Sequence, residues 1–200
     1  MPRRTRREFF APLLTFGIAG VSIMRGSTVR AGQSGLDKFL VPAPPCKDDL
    51  TPAVPVGTAY RPGAPLRKTL NEKDVAGTSI TVTGYVTGLT CGRIKGARLD
   101  FWHADPAGTT DNAGFRFRGA VLTDAEGRYA IDTIVPGSEG GRARHIGVRV
   151  ELPGKKPFTT LLFFPNDAAS TKDKDFNKSL VLKPVAGVVH SYSFDFLLDA

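Results

Sequence analysis

Cysteine is close to absent from this chain, with Cys46 and Cys91 the only two among 200 residues. Two cysteines that far apart, with no histidine at ligand spacing, argue against a zinc site. No clean apolar run of roughly 18 to 20 residues is present, which is what a spanning helix requires. The stretch nearest that length, Phe9 to Met24, is interrupted by Pro12, Thr15, Gly17, Gly20 and Ser22. Also missing are a phosphate-cradling loop, a nucleophile elbow and a metalloprotease helix. Beyond residue 31 no helical period persists for more than a few turns, and there are no internal repeats.

Acids are scarce at one end only. The chain holds 27 basic and 19 acidic residues, a formal +8. Residues 1–31 contain six arginines (Arg3, Arg4, Arg6, Arg7, Arg25, Arg30) and one acid, Glu8, so the remainder keeps 21 bases against 18 acids, about +3. No basic face for nucleic acid is expected from that distribution. The first 31 residues instead have the layout of an export leader: a charged RRTRR segment, an apolar stretch, and small-residue spacing at Val29-Arg30-Ala31. Arg6-Arg7-Glu8-Phe9-Phe10 resembles a twin-arginine signal, with an ordinary secretory signal or an uncleaved anchor as alternatives. An exported bacterial protein, periplasmic or secreted, is the expectation, with no stable membrane span once the signal is removed. In an oxidising compartment Cys46 and Cys91 are expected to form a disulfide, worth roughly 3–4 kcal/mol of loop entropy; two buried thiols are the alternative.

What is present is proline, glycine and short alternating segments. Residues 32–75 are rich in Pro and Gly (PAPPC, YRPGAPLR), and proline's fixed φ and missing donor predict an extended arm lying on the domain. Residues 76–200 read as strands. Ser79–Thr87, Ala97–His103, Phe117–Leu122, Arg128–Thr133, Arg144–Leu152, Phe158–Phe164 and Val188–Leu198 alternate or run apolar between turn residues. In the fifth of these, Ile146, Val148, Val150 and Leu152 share one face and His145, Gly147, Arg149 and Glu151 the other, because the side-chain period is two. Many short strands with regular turns predict an all-β, antiparallel β-sandwich. The loop with Lys172, Asp173, Lys174 and Asp175 reads as a solvated mixed-charge segment.

Three segments carry more than fold. Trp102-His103-Ala104-Asp105 is followed by Pro106-Ala107-Gly108-Thr109-Thr110. Pro136-Gly137-Ser138-Glu139-Gly140-Gly141-Arg142-Ala143-Arg144-His145-Ile146-Gly147 comes next, and then FTTLLFF. In order and spacing they resemble the intradiol ring-cleavage dioxygenases of the protocatechuate 3,4-dioxygenase type, in particular exported bacterial relatives. The resemblance covers roughly residues 46–198 and implies the same sandwich core. It further implies a ferric ion held by two tyrosines and two histidines. Here Thr110 and Glu139 stand at the tyrosine positions, His145 is the retained histidine, and Gly147 stands at the other. Leu161 falls where the family places a glutamine near the substrate. In the arm, Tyr60 is what remains of a tyrosine-bearing stretch after Thr51-Pro52.

The chemistry of those exchanges is direct. Ferric iron is a hard cation that phenolates neutralise, whereas a threonine hydroxyl stays protonated and glycine offers nothing. His145 is thus the one family metal ligand kept, and iron is expected only if the site has been remodelled. The resemblance implies that Arg142 faces the reacting ring and stabilises negative charge; pairing with an acid such as Glu139 is the structural alternative. Tyr60, Thr110, Glu139 and Arg142 are the candidate ligand-binding residues, and an aromatic or phenolic small molecule the candidate partner. Three functions stay open: a sandwich that no longer cleaves rings and binds a ligand, a metal-dependent enzyme remodelled around Glu139, Arg142 and His145 (with His103 or His190 as a further ligand), and a structural or surface module. Family members often associate, so an oligomer is compatible. If the vacated site keeps its geometry, Thr110→Tyr, Glu139→Tyr and Gly147→His together should restore iron binding.

Overall fold

The structure is a computed structural model that describes residues 49–55 and 59–200. The expected export leader, the first part of the expected arm and Cys46, the expected partner of Cys91, lie outside the described residues. Nine strands form two sheets among the described residues. They are β1 (Ser79–Gly88), β2 (Arg98–Trp102), β3 (Arg118–Leu122), β4 (Arg128–Ile134), β5 (His145–Glu151), β6 (Phe158–Phe163), β7 (Lys183–Pro184), β8 (Ser191–Ser193) and β9 (Phe196–Leu198). One sheet has the order β4-β1-β8-β7, with β9 also on β1; the other has the order β3-β2-β5-β6 and is antiparallel throughout. No helix among the described residues is long and apolar enough to cross a membrane.

The expected alternation sets which face is buried. Ile80, Val82 and Val86 of β1, Leu99 and Phe101 of β2, and Ile146, Val148 and Val150 of β5 fill the space between the sheets with Ile131, Phe196 and Leu198. The described arm straps the sandwich through its backbone. Thr51 N–H donates to Leu197 O and Val54 N–H to Thr159 O, while Arg67 N–H reaches Ala120 O and Leu70 N–H reaches Asp132 O. These bonds cover β6, β3 and β4 at sheet edges that would otherwise stay open.

The last strand departs from the expectation. Instead of one strand over Val188–Leu198, the chain forms β8 and β9, both parallel to β1, with a break at Phe194 and Asp195. The break is caused from the β1 side. Phe194 turns its carbonyl inward over Gly84, where a Cβ would lie only 1.7 Å from that oxygen. The Tyr129 hydroxyl donates to the same carbonyl at 2.9 Å, and Asp195 Oδ1 accepts from Tyr85 N–H at 3.0 Å. His190, which the continuous strand would have carried, instead occupies a turn at φ 58 and is exposed.

A Gly84→Ala variant should therefore lose about 3 kcal/mol of unfolding free energy, since the inserted methyl meets backbone rather than a flexible side chain. Urea unfolding measures this, and an unchanged midpoint would mean that the Phe194 peptide can step aside.

Candidate functional site

The outer face of the β3-β2-β5-β6 sheet carries the residues singled out by the sequence. On β2, Asp100 and Trp102 point away from the sandwich core; their register partners on β5 are Arg149 and Gly147, and Gly147 in turn faces Leu161 on β6. Two loops rise beside this face. In the first, Asp105 Oδ1 accepts from the backbone N–H groups of Ala107 and Thr109, which folds the turn delivering Thr110. The Asp105 carbonyl also accepts from Gly137 N–H at 2.8 Å, tying this turn to the loop that carries Glu139. Asp111 then accepts from the N–H groups of Ala113, Gly114 and Arg116, bonds that hold its carboxyl down to about 2. Buried Arg118 closes the arrangement by donating to Asp111 O and Ala59 O.

Thr110, Glu139, Arg142, His145 and Leu161 converge on one cleft, together with Trp102, His103 and the arm residues Pro55 and Ala59. Thr110 and Glu139 touch each other: Thr110 Oγ1 donates to Glu139 Oε1 at 2.5 Å. His145 donates Nδ1–H to the Ala143 carbonyl at 2.8 Å, which leaves Nε2 as the unprotonated nitrogen. Burial, the largest influence, pushes this imidazole below its ordinary range, against the opposing pull of that carbonyl.

Arg142 does not pair with Glu139. Its guanidinium lies 2.9 Å from Asp175 Oδ2 and 3.4 Å from Asp173 Oδ2, and the Asp173 side chain is 1% exposed. Asp173 also accepts from Ala143 N–H, and Asp167 accepts from both the backbone and the side chain of Arg144. The mixed-charge loop read as solvated thus supplies carboxylates that clamp residues 142–144; its lysines alone are solvent-facing.

The Trp102 indole lies against the backbone of Gly147. A Cβ on Gly147 would fall 2.2 Å from Cε2, 2.4 Å from Cζ2 and 2.4 Å from Nε1 of the indole. Tyr60 lies against Trp102, edge-on with centroids 5.4 Å apart, and does not line the cleft. Its hydroxyl donates to Asp100 Oδ2 at 3.2 Å and Arg149 stacks on its ring, while burial and the Asp100 carboxylate push its phenol upward. His103 is consumed by packing. Nδ1 donates to Ala104 O at 2.6 Å, so Nε2 accepts from Thr133 Oγ1 at 2.5 Å, and burial presses its pKa down to about 4. With these groups in place the cleft encloses about 40 Å3, room for water but far below the roughly 300–1,000 Å3 of ordinary ligand sites.

A family model described as Dioxygenase matches residues 56–200. The chain belongs to the intradiol ring-cleavage dioxygenase family. Its fold is similar to the dioxygenase domain of a dioxygenase–carbohydrate-binding protein fusion from Streptomyces sp. SirexAA-E. That match has a TM-score of 0.71 and 41% identity, and covers 76% of this chain and 99% of that one. It is also similar to 3-chlorocatechol 1,2-dioxygenase from Rhodococcus opacus 1CP, with TM-score 0.64, 25% identity and coverage of 74% and 71%. Among curated proteins, catechol 1,2-dioxygenase 1 of Acinetobacter lwoffii is 28% identical over 173 residues, covering 76% of this chain and 55% of that protein. The chain thus spans about half the length of the curated relatives it matches.

The family's ferric ion does not fit the residues present here. Glu139 and His145 are the two ionisable donors of the cleft that could reach one, and Glu139 is already bonded to Thr110. Among the described residues no group of three His, Cys, Asp or Glu side chains is placed to hold a metal, with His103 engaged on both nitrogens and His190 in its exposed turn.

Two outcomes follow from these contacts. Trp102 is the only tryptophan, so its emission reports on the cleft. Gly147→Ala should shift that emission and cost about 2 kcal/mol, because the methyl must displace the indole; an unaltered spectrum and stability would contradict the contact. The second concerns pH. A His103 pKa held below its unfolded value means that the unfolded chain binds more protons between pH 6.5 and 4, so stability falls as pH drops through that window. The loss should reach about 3 kcal/mol and be much reduced in His103→Gln, as measured by urea unfolding at several pH values.

Proposed function

We propose that this chain is an exported member of its family that no longer cleaves aromatic rings. The carrying observation is that the ligand positions are refilled rather than merely emptied: Thr110 bonds to Glu139, and Trp102 lies where a Gly147 side chain would begin. Two carboxylates already neutralise Arg142, which weakens its suitability for a reacting anion. The family likeness supports descent from an iron enzyme. The donor set supports the loss of that chemistry, and the arginine-rich leader supports export. An aromatic ligand at Arg142 would require Trp102 or the arm to move, given the small space between them. Export would also favour the Cys46–Cys91 disulfide.

Purification from an exporting host, metal analysis, and challenge with ferrous and ferric iron test this reading. The expected result is far less than one iron per chain and no oxygen uptake with catechol. Near-stoichiometric, tightly held metal with ring cleavage would overturn it and make Glu139 and His145 the first residues to mutate. The same preparation, unfolded without reductant, should expose no free thiol, and export should fail in Arg6→Lys with Arg7→Lys. The Thr110→Tyr, Glu139→Tyr, Gly147→His variant is now expected to stay colourless with ferric iron. Iron colour in it would show that the indole yields, contrary to the geometric argument.

A further inference from the structure

The opposite end of β5 opens onto a second and larger space. A groove of about 320 Å3 is walled by Leu50 and Ala53 of the arm, Val150 of β5 and Leu152 just beyond it, Phe158 of β6, and Leu197 and Leu198 of β9. It lies roughly 15–20 Å from the first cleft, judged by the strand rise from His145 to Val150. The volume is about eight times that of the cleft around His145 and reaches the lower range of ligand sites.

The walls are fixed before any ligand arrives. Thr51 and Leu197 exchange two hydrogen bonds, N–H to O and Oγ1 from N–H, both at 2.9 Å, which lock the arm to β9. Thr159 and Thr160 of β6 donate their hydroxyls to Val54 O and Pro52 O, which lock it to β6. The arm side of the groove is therefore tied to both β6 and β9, above an apolar floor at the buried Val150 and Leu198.

The rim gives the groove its charge. Lys155 and Lys156, consecutive in the β5–β6 turn, both line it and are exposed, and neither forms an ion pair with a described residue. Asp199 is the single acid among the lining residues. Apolar walls beneath two unneutralised ammonium groups complement a molecule with a narrow apolar body and an anionic head.

We propose that this groove binds an anionic amphiphile, a carboxylate on a medium-length aliphatic tail. The tail lies between the sheets against Val150, Leu152, Leu197 and Leu198, and the carboxylate meets Lys155 and Lys156. The inference is independent of whether the cleft at His145 holds iron, and its test is read at the other end of the sandwich.

Titration of the full chain with octanoate, kept below its micellar concentration, tests it by NMR of the side-chain methyls. Octanoate should shift the methyls of Val150, Leu152, Leu197 and Leu198 saturably. Octan-1-ol should bind about tenfold more weakly, the ratio expected when two exposed charge contacts are withheld. Lys155→Glu with Lys156→Glu should weaken octanoate by at least that factor and leave octan-1-ol unchanged, and Ala53→Trp should abolish both by filling the groove. Equal affinity for the alcohol, insensitivity to charge reversal, or no shift at these methyls would overturn the proposal. So would the same shifts on raising protein concentration alone, with faster sedimentation, because a second copy would then be covering the groove.

Discussion

The contact between the Trp102 indole and the backbone of Gly147 governs the site. β2 and β5 are register-locked so that these residues face each other on the outer side of the sheet. In an antiparallel pair, residues directly opposite have Cβ atoms only about 4.5–5.5 Å apart, so a side chain at one position limits the rotamers of the other. With no side chain at 147, the indole lies across β5 and gains close packing on a face that would otherwise hold a polar cavity. Tyr60 then meets the indole edge-on, Asp100 accepts from Tyr60, and Arg149 caps the Tyr60 ring. The arm is positioned by this stack, and through Pro55 and Ala59 it roofs the cleft.

Charge in the cleft follows from its reduced volume. A buried ionisable group needs a compensating partner, and here the chain itself supplies one to each. Glu139 finds the Thr110 hydroxyl, Arg142 finds Asp173 and Asp175, and His145 donates its Nδ1–H to the Ala143 carbonyl. His103 is neutral and satisfied at both nitrogens. The loop at 167–175 is thereby part of the site's electrostatics although none of its residues lines the cleft.

Much of this was legible in the sequence and some was not, for definable reasons. The period of two in Ile146–Leu152 identified the core face of β5, and the spacing from Trp102 to Gly147 brought Thr110, Glu139, Arg142, His145 and Leu161 to one cleft, as the family resemblance implies. What pattern could not convey was occupancy. A glycine at position 147 reads as an absence, whereas whether a neighbour fills the space depends on a tryptophan rotamer set across strands. Ion-pair choice was similarly opaque, since Asp173 is 31 residues beyond Arg142 and reaches it only through the return of the chain after β6. The break between β8 and β9 arises from the missing Cβ at Gly84, a residue that alternation alone counts as an ordinary inward position.

Packing explains why the two ends of the sandwich differ in open space. At the His145 end, the Trp102 indole lies across the ladder on Gly147 and takes up room beside the cleft. At the Leu152 end, the walls combine Val150, Leu152, Leu197 and Leu198 with the Phe158 ring, and arm hydrogen bonds to β6 and β9 hold them apart. A β-branched or leucine wall cannot reach across a gap of this size without moving the strand that carries it, and those strands are fixed by their ladders. Space is therefore scarce at the end where an indole lies across a glycine, and larger at the end where the arm is clamped to β6 and β9.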